Sequence, residues 1–97
     1  LSLVEELQKE AETAFYKWID QFVEGLLSEL KESAKEGYKG YIVKINGRDD
    51  RRFFSNKSLL DELEKRLEGC KVHISNERKK MPLTNYEYTE KNLHIKW

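Results

Sequence analysis

The side chains able to do chemistry in this chain are few and scattered. Its two histidines, His73 and His94, each take the polar parity of a segment in which apolar and polar residues alternate, Cys70 to Ser75 and Asn92 to Trp97. If those segments pair as antiparallel strands, the two rings share one sheet face. A zinc site needs three or four ligands held by further hydrogen bonds. Cys70 has the opposite parity to His73 and no nearby acid completes a set, so the reading is two solvent-facing strand histidines and no metal. Cys70 also follows Gly69 and shares the parity of Val72, which makes it a small core residue, and a thiol in apolar surroundings is a poor nucleophile. No glycine-rich phosphate loop, nucleophile elbow or paired metal-type acid motif occurs. Asp49 and Asp50 stand beside Arg48, Arg51 and Arg52 and read as a solvated turn with local ion pairs. The expectation is a protein without catalytic residues or cofactor. The enzymatic alternative, a small hydrolase or metal enzyme, requires His73 and His94 to reach one ion.

Two other patterns concern binding. Arg48, Arg51, Arg52 and Lys57 bracket Phe53 and Phe54, and Arg78, Lys79 and Lys80 form a second basic cluster. Cations interleaved with aromatics hold single strands by phosphate contact and base stacking. Nucleic-acid binding is therefore the alternative function, with Arg51, Arg52, Lys79 and Lys80 as the phosphate contacts. The first third of the chain carries the other pattern. Phe15, Tyr16, Trp18 and Phe22 lie close together, and Phe15, Trp18 and Phe22 fit a core. Tyr16 and the narrow edge Leu3, Val4, Leu7 and Ala11 lie away from that core and are the expected partner surface.

The elements that must position these residues follow from spacing. Ser2 and Glu5 have the separation of a capping box, Gly37 is a left-handed stop, and between them apolar residues recur three or four apart without a proline. This predicts one helix over 2–36, about 52 Å long at ~1.5 Å per residue. A compact domain of this size is only about 32 Å across, so an end must overhang unless the helix bends. The apolar arc covers about half the circumference from Phe15 to Ala34 and narrows to about 100° from Leu3 to Ala14. The first turns therefore read as a helix seam that is partly bare in a monomer.

Tyr38 to Ile45 alternates like a strand, Asn46-Gly47 suits a tight turn, and Arg51 to Phe54 fits a short returning strand. Ser55 is placed as an N-cap with Phe54 and Leu59 as its staple, ahead of a helix carrying Leu59, Leu60, Leu63 and Leu67 that stops at Gly69. Cys70 to Ser75 reads as a strand, 76–85 as a loop, and Leu93, Ile95 and Trp97 close the chain in a last strand. Trp97 on the apolar parity points to a true C-terminus tied into the sheet, and Leu1 without a methionine to a trimmed beginning. The sum is a single α+β domain over 1–97: a long N-terminal helix and one short helix on a small, mainly antiparallel sheet of three to four strands.

Composition bounds the class. With 97 residues, 38% apolar and 11% aromatic, the chain supports one core, and its apolar rhythm argues against disorder. One cysteine excludes an internal disulfide and points to a reducing, cytoplasmic setting. No apolar run approaches the roughly 20 residues that span a bilayer, so no membrane is expected. The 18 basic and 18 acidic residues cancel, but unevenly. Residues 1–36 hold nine acids against four bases, a net of −5, and the remainder carries +5. Two such parts attract, within a molecule or between copies.

Ala34-Lys35-Glu36-Gly37-Tyr38, Leu67-Glu68-Gly69, Lys71-Val72-His73-Ile74 and the terminal Leu93-His94-Ile95-Lys96-Trp97 together resemble small virus- and prophage-encoded α/β proteins of unknown function. The resemblance spans about residues 30–97 and brings no catalytic residue. It implies a viral or prophage origin and action through binding, to a host or viral protein. The leading expectation is a non-enzymatic protein-binding module that forms a homo-oligomer through its N-terminal helix.

Overall fold

The computed structural model describes residues 2–97, and helix α1 (Leu3–Lys35) runs through them without a break. Its start carries the Ser2 half of the expected capping box: the Glu5 amide donates to Ser2 Oγ at 3.2 Å, and Glu5 and Glu6 place negative charge at the positive end of the helix dipole. Its end is a Schellman-type stop. Gly37 takes φ +95°, and the Tyr38 amide donates back to the Ser33 carbonyl at 3.0 Å. Thirty-three residues at ~1.5 Å give about 50 Å, and the molecule measures 51 × 40 × 18 Å. Its radius of gyration is 16.1 Å, against about 12.5 Å for a compact chain of this length. The helix does not bend to fit; it projects.

Three strands, β1 (Gly40–Lys44), β2 (Lys71–Lys80) and β3 (Glu87–Lys96), form an antiparallel sheet in the order β1-β3-β2. The register sets Ile42, His94 and His73 in one row across it, with Val43, Leu93 and Ile74 in the next. Alternation sends Val43, Val72, Leu93 and Ile95 to one face, where they bury against Phe15, Ile19, Val23, Leu26 and Leu30 of α1 and Leu59, Leu63 and Leu67 of the second helix, α2 (Leu59–Arg66). This is the expected two-layer α+β arrangement. Arg66 joins the two helices by pairing with Asp20 of α1, and the Tyr41 hydroxyl donates to Glu29, tying β1 to the same helix.

Several local expectations are corrected. Arg51–Ser55 is a 3₁₀-helix, not a returning strand. A strand would send Phe53 and Phe54 to opposite faces, whereas the 3₁₀ turn brings both against Trp18, with ring centroids at 5.0 and 5.1 Å. The Asn46-Gly47 tight turn does form, with the Arg48 amide donating to the Ile45 carbonyl at 3.2 Å and Gly47 at φ +79°, but no strand returns directly after Asn46. Its side chain donates to the Thr89 carbonyl at 2.8 Å and accepts from the Lys91 amide at 2.7 Å, lengthening the bonding between β1 and β3. Ser55 ends the 3₁₀-helix rather than capping α2, which starts after Ser58 with Asn56 Oδ1 accepting the Ser58 amide at 2.8 Å.

Residues 76–80, read as loop, continue β2, and only 81–86 turn the hairpin. That extension is exposed on both faces, so it carries no apolar rhythm, and its ladder rests on backbone bonds and the Lys80–Glu87 and Lys79–Glu90 pairs. Trp97 is held to the sheet edge through its amide, which donates to the Lys39 carbonyl at 3.1 Å, while its ring stays largely exposed.

Leu63 is fully buried and Leu7 fully outside the core. Leu63→Ala is expected to cost roughly 2–5 kcal/mol in urea unfolding, whereas Leu7→Ala should stay within about 0.5 kcal/mol. A large loss at Leu7 in the monomer would contradict the projecting helix.

Candidate functional site

The segment after β1 is anchored to α1 by one carboxylate. Asp50 accepts the Trp18 indole N–H at 2.9 Å and two bonds from Arg48, at 2.8 and 3.1 Å. The Arg48 guanidinium in turn lies 5.7 Å from the Phe22 ring centroid and 5.6 Å from that of Phe54. Phe22 and Phe53 stack on Trp18 with near-parallel planes. A planar cation over ring faces and a charge-assisted pair are mutually reinforcing where water is partly excluded. The Arg48 hydrogen bonds, then that of Trp18, hold the Asp50 carboxyl below its ordinary 3.8 despite burial that opposes this. Asp50 and Arg48 are thus more than a solvated turn: they fix the 3₁₀-helix against α1.

So fixed, the 3₁₀-helix faces the base of the β2–β3 hairpin across a cavity of about 590 Å³. Ile45, Phe54 and Ile74 line it as apolar floor, Arg51 and Arg52 as one wall, and Asn76 and Lys91 as the other. Arg78 and Lys80 follow Asn76 on the same face of β2 by alternation. Arg52 is positioned twice, by its bond to the Asp49 carbonyl at 2.8 Å and by its place 4.5 Å over the Phe53 ring. Among the described residues, no carboxylate comes within 4.0 Å of Arg51, Arg78 or Lys91. The result is an open groove lined by unneutralised cations.

Of the four residues expected to contact phosphate, the structure brings Arg51 and Arg52 together in this groove and sets Lys80 further along its side. Lys79 belongs to the opposite sheet face. There it lies 2.9 Å from Glu90 and 3.9 Å from Glu77, two carboxylates directly opposed across the ladder, and its contact with Glu90 holds its ammonium above the ordinary range. Lys91 was not marked by the sequence pattern, because it stands between Glu90 and Asn92 with no second cation or aromatic beside it. The Phe53 ring is already engaged, stacked on Trp18 with Arg52 4.5 Å from its centroid.

The expected partner surface on α1 divides likewise. Leu3, Val4 and Leu7 are 68%, 61% and 54% exposed and, with Ala11 and Ala14, form a stripe on the projecting turns. Tyr16 is not part of it. At about 100° per residue it lies on the far side of the helix from Leu7, and its ring packs edge-on against Phe15 at 5.3 Å. Glu6 and Glu10 border the stripe on one side and Gln8 and Glu12 on the other.

On the uncovered face of the sheet, His73 and His94 meet as the register requires, stacked with centroids 4.5 Å apart and planes within 5°. Ser75 Oγ lies 2.8 Å from His94 Nε2. Partial burial, and then the neighbouring charge of His73 and Lys96, push the His94 pKa below its ordinary 6.5. Among the described residues, no group of three His, Cys, Asp or Glu side chains is placed to hold a metal ion. Cys70 is half-buried and packs against the core.

Fold and surface together define a two-layer α+β protein with a projecting acidic helix and a cationic groove. No family model, curated protein or solved structure matches the chain. No helix is long and apolar enough to cross a membrane among the described residues.

Asp50→Ala leaves an indole N–H and a guanidinium without their acceptor and should cost roughly 2–3 kcal/mol, with Asp50→Asn costing less because an oxygen still serves Trp18. A folded-state pKa below the unfolded one adds stability that is complete above about pH 4 and is lost as pH falls through the folded value. Asp50→Asn should therefore flatten that acid limb in chemical unfolding. His94 favours its neutral form in the fold, so stability should decline as pH falls from about 6.5 toward its lowered pKa. His94→Gln should reduce the slope, and an unchanged slope would count against the assignment.

Proposed function

We propose that this protein is a non-enzymatic binding module that self-associates through its N-terminal helix. The observation that carries this reading is the projecting stripe of Leu3, Val4 and Leu7, more than half exposed on turns where every residue from 2 to 14 is exposed. A helix held out from its core with apolar residues on one edge gains by burying them against a partner. The chemically capable groups support the non-enzymatic side: Asp50 is committed to Trp18 and Arg48, the histidines stack on each other, and Cys70 packs on the core. The reading includes an intracellular setting, from the single cysteine, and a viral or prophage origin with a host or viral protein as further partner, from the resemblance of the C-terminal two thirds. Nucleic-acid binding is the second reading, favoured by the cationic groove of Arg51, Arg52 and Lys91, with Lys80 further along β2 beside Glu87.

Three exposed turns bury less than a standard protein interface, so association is expected in the range of about 1–100 μM rather than nanomolar. Sedimentation velocity should show a concentration-dependent rise in mass over that range. Leu3→Ser with Leu7→Ser should return the protein to a monomer with its melting temperature nearly unchanged. A wild-type chain that stays monomeric throughout would overturn the reading.

A further inference from the structure

We infer that the projecting helix of one copy docks into the cationic groove of another, giving a head-to-tail rather than a symmetric assembly. This rests on the proposed self-association and names its second surface. Charge complementarity carries it. Residues 2–13 hold Glu5, Glu6, Glu10 and Glu12 against Lys9, a net of −3, and the groove presents Arg51, Arg52 and Lys91 over an apolar floor. The helix offers an apolar ridge bordered by carboxylates; the groove offers cations around half-buried Ile74, with Ile45 and Phe54 buried beneath it. Ridge against ridge is the poorer match. In an antiparallel pair of such helices, each flank meets the same flank of the other copy and sets Glu6 and Glu10 against their counterparts.

The helix cannot serve its own groove. It continues unbroken into the core helix, and its residues 2–14 stay exposed beyond the sheet. A ridge and a groove at different places on one chain make a heterologous contact, which extends into chains or closes into a ring according to the angle between successive copies.

The sign of the salt effect tests this without any substitution. Raising salt from about 50 to about 500 mM should weaken wild-type association roughly 10-fold or more, because opposite charges are screened. Association that strengthens with salt would indicate like charges meeting and would overturn the proposal while leaving self-association intact. A mixing experiment tests the geometry. One variant carries R51E and K91E and keeps its ridge; the other carries L3S and L7S and keeps its groove. Each alone should be monomeric, and the mixture should form a 1:1 dimer that grows no further. If the R51E/K91E variant keeps wild-type mass, and loses only binding to a fluorescent single-stranded oligonucleotide, the groove belongs to nucleic acid and the proposal fails. A wild-type monomer at every concentration would remove the self-association reading itself.

Discussion

The connection between the sheet and the second helix is arranged around the carboxylate of Asp50, which receives the Trp18 indole and the Arg48 guanidinium together. Both donors are further held by aromatic contacts: the indole stacks with Phe22 and Phe53, and the guanidinium lies near the rings of Phe22 and Phe54. A charged hydrogen bond in partly excluded water is worth more than one in bulk solvent, and the flanking rings supply that exclusion. Through this contact the chain between β1 and α2 becomes a wall rather than a loose connection. Arg51 and Arg52 inherit their positions from it.

A second constraint is the length of α1. One capped helix of 33 residues cannot be matched by a three-stranded sheet and a helix of eight, because a strand of ten residues spans only about 34 Å. Burial is therefore confined to Phe15 through Leu30, and the N-terminal turns emerge carrying their carboxylates with them. The β2–β3 hairpin also runs past the core, with Arg78 and Lys80 on one face. The charge segregation along the sequence thus becomes a separation in space. Glu5, Glu6, Glu10 and Glu12 stand on the projecting turns, and Arg51, Arg52 and Lys91 meet between the 3₁₀-helix and the hairpin.

What could be read from residues alone depended on whether burial left a rhythm. Leu59, Leu63 and Leu67 announce α2, and Val43, Leu93 and Ile95 announce the strands, because each has one face turned to the core. The distal hairpin has both faces in water, so Asn76 to Lys80 show no alternation and read as loop. Phe53 and Phe54 misled for the opposite reason. Two adjacent apolar residues resemble a strand end, but both are drawn to one tryptophan, a demand that only a tight helical turn meets.

Legible in the residues alone are the long capped helix, the two-layer α+β class, the polar strand parity of His73 and of His94, and the −5 against +5 division. These follow from periodicity, caps and counting, which are local properties. Which cations lie side by side is a matter of packing. Lys79 and Lys80 are neighbours in the chain but lie on opposite faces of a strand, while Arg51 and Lys91, 40 positions apart, line one groove. Strand parity separates adjacent side chains, and packing unites distant ones. A surface charge cluster is therefore a property of the fold and not of the order of residues.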